Sequence, residues 1–335
     1  MQLYRAPLWS RWPEAMSGHI QTIWPALFSH TCAGQTSPAV TYSRERWRTP
    51  DDDFIDLDWL KSGAAEDISR RPLLIHFHGL EGSSQSHYAR AFAHWAHARE
   101  WDFVVPHFRG CSGEINRTLR GYHSGDYLEM DWILRRLVSH HAGPVVAVGI
   151  SMGGNALLRW AQEAGAESAA VLSAIAAISS PVDLTAAGMA LGRGFNRQVY
   201  TRMFLRTLKL KALTKARAHP GAVDIDALMA ARDLYEYDNA YTAPVHGFAN
   251  TDDYWRRASA KPGLSDMHHV PTLVLNARND PFIPADSLPK QNEVGSAVTL
   301  WQPAEGGHVG FPQGRLPGHV AELPHAVGAW LLQHT

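Results

Sequence analysis

The chain has 335 residues, of which 45% are hydrophobic and 19% are charged, and its formal net charge is −1 at pH 7. This length and apolar content suit one large α/β domain with an insertion, or two smaller domains. The nearly neutral charge gives no indication of a nucleic-acid partner. Only two cysteines are present, Cys32 and Cys111. They are too few for a disulfide framework and favour a reducing compartment, the cytoplasm.

Nothing in the sequence predicts a secretory signal or a membrane span. The stretch from Met1 to Trp24 lacks the apolar core of about 7–15 residues that a secretory signal contains. The most apolar run, Ala169–Ile178, has about half the length that a bilayer-spanning helix requires. We interpret this run as a buried strand and expect a soluble protein.

Apolar, β-branched runs alternate with helical patterns along the chain. Strands are predicted at Val40–Trp47, Phe54–Trp59, Leu73–Phe77, Phe103–Phe108, Val145–Ile150, Ala170–Ile178, Thr272–Asn276 and Val298–Trp301. Helices are predicted at Ser86–Arg99, Leu128–Ser139, Gly154–Ala164 and Glu322–Gln333. Strands without polar alternation, separated by helices, are typical of a parallel sheet covered on both faces. Residues 182–265 have no strand pattern, so we expect a helical cap there, inserted between core residues 1–181 and 266–335.

The string Gly149-Ile150-Ser151-Met152-Gly153 follows a predicted strand and opens a predicted helix. In that position G-x-S-x-G is typical of a nucleophile elbow, in which a serine occupies a tight turn between strand and helix. The glycines leave room for the backbone to fold back on itself. The motif is common by chance, so it indicates acyl transfer through Ser151 only if a base, an orienting acid and oxyanion donors accompany it.

Two further strand ends carry the acid and the base that such a serine needs. Asp280 follows the strand at Thr272–Asn276, although Asn-Asp-Pro is also ordinary turn chemistry, and Asp286 is its nearest competitor. His308 follows the last strand and is flanked by glycines that permit a tight loop, although the chain has 19 histidines. We expect His308 to act as the base and Asp280 to orient it.

Two backbone N–H groups are expected to form the oxyanion hole. One belongs to Met152, which follows the serine, and the other to Leu80, in the Gly-containing loop after the strand at Leu73–Phe77. The alternative for this loop is a turn without a catalytic role. The order serine, acid, histidine, each after a core strand, is that of the α/β-hydrolase fold. We therefore predict this fold, with a mostly parallel eight-stranded sheet flanked by helices and a helical cap.

Other chemistries have little support in the sequence. No H-E-x-x-H, C-x-x-C or P-loop is present, and the histidine pairs at 140–141 and 268–269 are adjacent rather than at metal-binding spacing. We expect neither a metal nor an organic cofactor. Three residues near the motifs, His78, Arg109 and Asp126, are expected to brace the pocket floor.

The predicted cap contains eight cations and no acid between Arg193 and Arg217, with apolar side chains at helical spacing. One interpretation is weak contact with an anionic membrane surface. The other, which we favour, is a cap helix packed on its apolar side and paired with the cap acids Asp224, Asp226 and Asp233. The sequence leaves the oligomeric state open.

Over nearly its full length the chain resembles the YheT-like branch of the α/β-hydrolase superfamily, relatives of the mammalian ABHD1–3 type and of yeast medium-chain ethyl ester synthases. The matching segments are Ser17–Ile23, His78–Gly82, Phe108–Gly113, Gly149–Asn155, Thr242–Phe248, Asn279–Phe282 and Gly307–Phe311. The resemblance implies a carboxylic ester hydrolase with Ser151, Asp280 and His308 as its triad. Some relatives carry an H-x-x-x-x-D acyltransferase motif, but Val-Gly-Phe-Pro-Gln follows His308 here.

These observations predict hydrolysis of short- to medium-chain acyl esters, small-molecule substrates, through an acyl-enzyme on Ser151. Three alternatives stay open at this point: transfer of the acyl group to an alcohol, an amidase or peptidase on the same triad, and a binding protein with no enzymatic activity.

Overall fold

A computed structural model describes residues 4–33, 40–60 and 70–335. Its centre is one eight-stranded sheet with the strand order β1-β2-β4-β3-β5-β6-β7-β8. The strands are β1 (Ser43–Arg48), β2 (Phe54–Leu60), β3 (Leu73–Phe77), β4 (Asp102–Pro106), β5 (Val145–Ile150), β6 (Ala174–Ile178), β7 (Thr272–Leu275) and β8 (Val298–Trp301).

The sheet is mostly parallel, as predicted. The hairpin strands β1 and β2 pair antiparallel with each other, and β2 pairs antiparallel with β4. All the other neighbours, from β4 to β8, are parallel. Because parallel strands end at the same edge, the loops after β3, β5, β7 and β8 meet above one side of the sheet.

The sheet is buried on both faces because its central strands carry apolar side chains at nearly every position. Side chains alternate between the faces. On β3, Ile75 packs into one cluster together with Ala147 of β5, whereas Leu74 packs into the other together with Val146. Packing on both faces fixes the ends of the strands, and the loops that follow the strands therefore begin at fixed positions.

Helices cover both faces and the edge where the strands end. They are α1 (Ser17–Leu27), α2 (His87–His97), α3 (Tyr127–Ser139), α4 (Met152–Ala164), α5 (Ser168–Val171), α6 (Leu184–Leu191), α7 (Gly194–Asn196), α8 (Arg202–Ala218), α9 (Ile225–Ala230), α10 (Leu234–Tyr237), α11 (Ala243–Val245), α12 (Thr251–Ala258) and α13 (Glu322–Leu331). In the described ranges, no helix is long and apolar enough to cross a membrane.

Two elements differ most from the sequence predictions, and β1 begins at Ser43 rather than at Val40. The strand predicted at Ala170–Ile178 begins only at Ala174, and its first residues belong to the short helix α5. Helix α1 was not predicted, and it contains Pro25 inside its last turn. The segment from Leu184 to Asp266, hereafter the insertion, lies between β6 and β7 and contains helices α6 to α12.

Candidate active site

Ser151 occupies the turn between β5 and α4, at the edge where the parallel strands end. Its backbone has φ +52° and ψ −120°, a conformation that non-glycine residues rarely adopt. The Ser151 N–H donates to the Ile178 carbonyl of the neighbouring strand β6 at 2.7 Å, which holds the turn in place. The strained backbone therefore projects the serine side chain above the sheet edge.

Glycine is required beside this turn because α4 starts directly against the strand. A Cβ on Gly149 would lie 2.6 Å from both the Gly153 carbonyl oxygen and the Gly154 Cα. A Cβ on Gly153 would lie 2.5 Å from the His78 carbonyl oxygen. The G-x-S-x-G pattern thus reflects a close approach between backbone segments at both of its glycines.

His308 joins Ser151 to Asp280 in one hydrogen-bonded chain. Its Nε2 lies 3.0 Å from the Ser151 Oγ, and its Nδ1 lies 2.8 Å from the Asp280 Oδ2. The other Asp280 carboxylate oxygen accepts the Phe282 N–H at 2.8 Å. A proton on Nδ1, donated to the carboxylate, leaves Nε2 free to accept the serine proton. Asp286, the competing acid, is exposed in a separate 3-10 turn at Ala285–Ser287.

Aromatic packing fixes the plane of the His308 ring. The Phe282 ring lies 4.1 Å from it, centroid to centroid. Tyr200 of the insertion packs edge-on against Phe282 at 4.5 Å, and its hydroxyl lies 3.0 Å from the His19 Nδ1 of α1. The imidazole is therefore held by residues from α1, from the insertion and from the core.

The loop after β3 passes beside Ser151 at Gly79. The Gly79 carbonyl accepts hydrogen bonds from the His78 Nδ1–H at 2.8 Å and from the Gly82 N–H at 3.0 Å. In a trans peptide the N–H of the next residue points opposite to that carbonyl. A Cβ on Gly79 would lie 3.2 Å from the Ser151 Cβ, so this peptide passes directly beside the serine. Both Leu80 and Met152 line the cavity that contains Ser151.

The insertion contacts this same loop through an ion pair. Lys211 of α8 donates to the Glu81 carboxylate at 2.8 Å, and the Tyr122 hydroxyl donates to the same oxygen at 2.7 Å. The Tyr122 hydroxyl in turn accepts the Glu81 N–H at 3.1 Å. Glu81 has φ +56°, so these contacts maintain a strained residue directly after Leu80.

Helix α1 supports the loops that carry Asp280 and His308. The buried Gln21 accepts the Gly306 N–H at 2.8 Å and the Asn279 side-chain N–H at 2.9 Å, both at its Oε1. The Thr22 hydroxyl accepts the His308 N–H at 2.8 Å and donates to the Gly18 carbonyl at 2.7 Å. One helix therefore fixes the backbone on both sides of the hydrogen-bonded chain.

The sequence motif Ser17–Ile23 gave the only signal for this support. Its resemblance to relatives was visible, but its role was not, because Gln21 and Thr22 contact residues nearly 300 positions away in the chain. From the sequence, Lys211 could be recognised only as one cation of the basic stretch between Arg193 and Arg217. Its pairing with Glu81 across 130 positions depends on how α8 packs.

Two of the three residues expected to brace the pocket floor do so through identifiable contacts. His78 is fully buried, donates to Gly79 and accepts the Phe108 N–H at 3.1 Å. Burial lowers the pKa of His78 well below its ordinary value, so the ring stays neutral and keeps this pattern. Arg109 forms a buried ion pair with Glu129 at 2.6 Å and also lines the cavity.

Asp126, the third of these residues, forms an ion pair with Arg120 at 2.6 Å. It is buried and does not line the cavity. In the part of the chain that the structure describes, no group of three or more histidine, cysteine or carboxylate side chains is placed to hold a metal ion.

The cavity above Ser151 has a volume of about 520 Å³ and mostly apolar walls. One end contains Ser151 and His308. The insertion supplies much of the rest, including Leu191, Tyr200 and Phe204. A volume of this size suits a small organic molecule, and the walls favour an apolar chain over a polar one.

The fold and this site together define the class of protein. The sequence profile of the alpha/beta hydrolase fold family matches residues 72–314. The chain belongs to this family, as its motif order predicts.

The closer relatives confirm the predicted resemblance to YheT-like proteins. YheT of Escherichia coli (strain K12), which is provisionally named an esterase, is 38% identical over 93% of this chain and 89% of YheT. The phospholipase ABHD3 of Mus musculus is 30% identical over 89% of this chain and 75% of its own length. The esterase Pf2001 of Pyrococcus furiosus has the same fold, with a TM-score of 0.52 at 15% identity, over 92% of this chain and 99% of Pf2001.

Proposed function

We propose that this chain is a serine-dependent carboxylic ester hydrolase. The observation that carries the proposal is the His308 ring, which lies within hydrogen-bond distance of the Ser151 hydroxyl on one side and the Asp280 carboxylate on the other. A serine hydroxyl is a poor nucleophile at neutral pH, and this arrangement supplies the base that it needs. The relative YheT, which is provisionally named an esterase, supports the assignment.

In the first half of the reaction, His308 takes the proton of Ser151 as its oxygen attacks the ester carbonyl. Asp280 holds the imidazole in the required tautomer and stabilises the imidazolium that forms. His308 then gives the proton to the departing alcohol, which leaves an acyl group on Ser151.

In the second half, His308 removes a proton from water, and the resulting hydroxide attacks the acyl-enzyme. The acid is released and Ser151 is restored. The negative charge on the carbonyl oxygen is held in both halves by the N–H groups of Leu80 and Met152. One such donor contributes on the order of 3 kcal/mol to stabilising the transition state.

The substrate class follows from the cavity. Its apolar walls suit the acyl chain of a short- to medium-chain ester, with the insertion acting as a cap over it. Hydrolysis is favoured over acyl transfer because Gln313 stands where the acyltransferase motif of some relatives has an aspartate. Reaction in the presence of ethanol tests this choice. We expect free acid as the main product, and a predominance of ethyl ester would overturn it.

A paired substrate panel tests the reaction class. We expect the protein to hydrolyse p-nitrophenyl butyrate and to act far more slowly on butyryl p-nitroanilide, which has the same acyl group. Ser151→Ala should reduce ester turnover by a factor of up to roughly a million, because the serine and its base act as a unit. If the anilide is cleaved at least as fast as the ester, the protein is an amidase. If neither is cleaved by well-folded protein, a binding role replaces the enzymatic one.

A further inference from the structure

Large apolar side chains are exposed around the mouth of the cavity. They come from the end of α1, where Leu27 is 67% exposed and Phe28 is 54% exposed, and from the insertion, where Phe195, Val199 and Met203 are 41%, 38% and 55% exposed. We call these five residues the apolar rim. Three of them, Leu27, Val199 and Met203, also line the cavity. The exposed apolar surface is therefore continuous with the interior that contains Ser151.

Aromatic contacts join the two sides of the rim and keep it in place. On the α1 side, the Phe28 ring packs on Trp24 at 4.7 Å, and the Trp24 indole N–H donates to the Pro317 carbonyl at 2.9 Å. On the insertion side, Phe195 packs on His19 of α1 at 4.4 Å. Phe28 and Phe195 are therefore each held in place by an aromatic neighbour on α1.

Two exposed cations flank the rim. Arg202 and Arg206 of α8 are exposed, and along the described residues neither forms an ion pair. Their spacing of four places them on one face of α8, and Met203 of the rim lies next to Arg202 in the chain. Two cations together with exposed apolar side chains are the combination that binds an anionic lipid surface.

The structure revises the interpretation of the basic stretch as a whole. Lys211 pairs with Glu81, and Lys215 is buried with its amine donating to the Thr118 carbonyl at 3.0 Å. The cap acids Asp224 and Asp233 cap the N-termini of α9 and α10 through their side chains. Among the described contacts, neither of these two acids pairs with Arg202 or Arg206 at the start of α8.

We propose that the apolar rim docks on an anionic lipid surface, with the cavity mouth facing the lipid. The rim side chains enter the headgroup region, Arg202 and Arg206 contact lipid phosphates, and an ester reaches Ser151 from the lipid without crossing water. The delivery of substrate rests on the proposed hydrolase function, whereas the docking does not. A contiguous apolar surface flanked by charge is otherwise uncommon on a soluble domain.

Co-sedimentation with vesicles tests the docking separately from catalysis. The protein carries Ser151→Ala, so that no lipid is consumed, and the vesicles are phosphatidylcholine with or without 30 mole per cent phosphatidylglycerol (about 0.1 M salt). We expect binding to the anionic vesicles and much weaker binding to the neutral ones. Replacing both arginines by Gln should lower the partition coefficient roughly 30-fold, since each cation near such a surface contributes about fivefold.

A matched pair of double variants tests the rim itself. Phe28→Ser with Phe195→Ser removes two rim side chains that do not line the cavity, and should reduce binding at least tenfold. Leu128→Ser with Leu332→Ser removes side chains that are 65% and 43% exposed, on α3 and after α13, and should leave binding unchanged. Equal binding by the two double variants would overturn the proposal, as would no binding to anionic vesicles.

Light scattering tests whether the rim binds a second copy of the chain instead of lipid. If light scattering finds a dimer of the unsubstituted chain that the Phe28→Ser, Phe195→Ser variant dissociates, the rim is an interface between two copies and the lipid proposal falls. Hydrolysis of soluble p-nitrophenyl butyrate by the Arg202→Gln, Arg206→Gln variant of the otherwise unsubstituted chain reports on the proposed function alone. We expect that activity to be retained even if lipid binding fails.

Discussion

Asp280 is fixed from two directions, because one carboxylate oxygen faces the His308 Nδ1 and the other accepts the Phe282 N–H. An amide in its place presents a donor to the ring and favours the wrong imidazole tautomer. We expect Asp280→Asn to lower kcat for p-nitrophenyl butyrate by a factor on the order of 10⁴. Asp286→Asn, at an exposed acid of the same region, is the matched control and should keep its activity. A larger loss in Asp286→Asn would show that the orienting acid is misassigned.

Thr22 contacts the His308 backbone by accepting its N–H at 2.8 Å. Thr22→Val removes that acceptor while keeping the shape of the side chain. We expect kcat to fall about tenfold or more with KM nearly unchanged, because a small displacement of the ring is costly to the transition state. Thr22→Ser should restore most of the rate, since it keeps the hydroxyl.

The control for this substitution is Thr272→Val. Thr272 is also buried and also donates its hydroxyl to a backbone carbonyl, that of Val270 at 2.9 Å, but it lies within β7. A loss of stability common to both valine variants, with no selective loss of kcat at Thr22, would contradict a positioning role.

Individual site residues can be predicted from the sequence where the chemistry and the local turn geometry depend on neighbouring residues in the chain. Ser151 sits in a turn whose two glycines are required by backbone contacts within a few residues, so the pattern is readable locally. Asp280 and His308 could be proposed because each follows a strand. The interactions of Gln21 could not be predicted, because its partners at Asn279 and Gly306 are brought to it only by the completed fold.

Among the elements, α8 connects the insertion to the loop carrying Leu80 through the Lys211–Glu81 ion pair. Removing the cation leaves a mostly buried carboxylate uncompensated next to Leu80. We expect Lys211→Met to lower kcat/KM about tenfold, equivalent to about 1.4 kcal/mol in the transition state. The double variant Lys211→Met with Glu81→Gln should recover part of that loss.

Lys209→Met is the matched control on the same helix. The Lys209 amine donates to the Met229 carbonyl at 2.7 Å and has no part in the contacts of Glu81. If Lys209→Met and Lys211→Met reduce kcat/KM equally, the effect belongs to the stability of α8 and not to the ion pair.

The elements of the core were predictable because burial on both faces produces apolar runs that are distinct from the helices between them. The run at Ala170–Ile178 misled because alanine and valine are compatible with both states, and its first residues complete the helix α5. Helix α1 escaped prediction because Gly18 and Pro25 interrupt its pattern. It is stabilised by tertiary contacts to the loops after β7 and β8 rather than by local propensity.

For the molecule as a whole, buried neutral histidines couple folding to pH. His76 on β3 is fully buried among aromatic rings, stacked on Tyr88 at 5.6 Å, and burial lowers its pKa to about 3. The unfolded chain binds a proton near pH 6.5 that the folded protein excludes. Above pH 6.5 His76 is neutral in both states, so its protonation does not affect the free energy of unfolding. As the pH falls from 6.5 towards 3, protonation of the unfolded chain lowers that free energy.

We expect the free energy of unfolding to decrease below pH 6.5, with His76 contributing about 1.4 kcal/mol per pH unit. His76→Phe, which keeps an aromatic ring in the same surroundings, should reduce the slope by that amount. Urea unfolding at pH 7, 6 and 5 measures both slopes. Parallel curves for the two proteins would show that His76 does not cause the acid sensitivity.

The central claim is that Ser151 is activated by His308 and Asp280 to attack an acyl carbonyl, and covalent trapping tests it most directly. The intact protein is treated with a fluorophosphonate, and the adduct is located by mass spectrometry of its peptides. We expect one adduct per chain, on Ser151, absent from Ser151→Ala and formed much more slowly in His308→Ala. An adduct on another serine, or ester turnover that persists in Ser151→Ala, would contradict the claim.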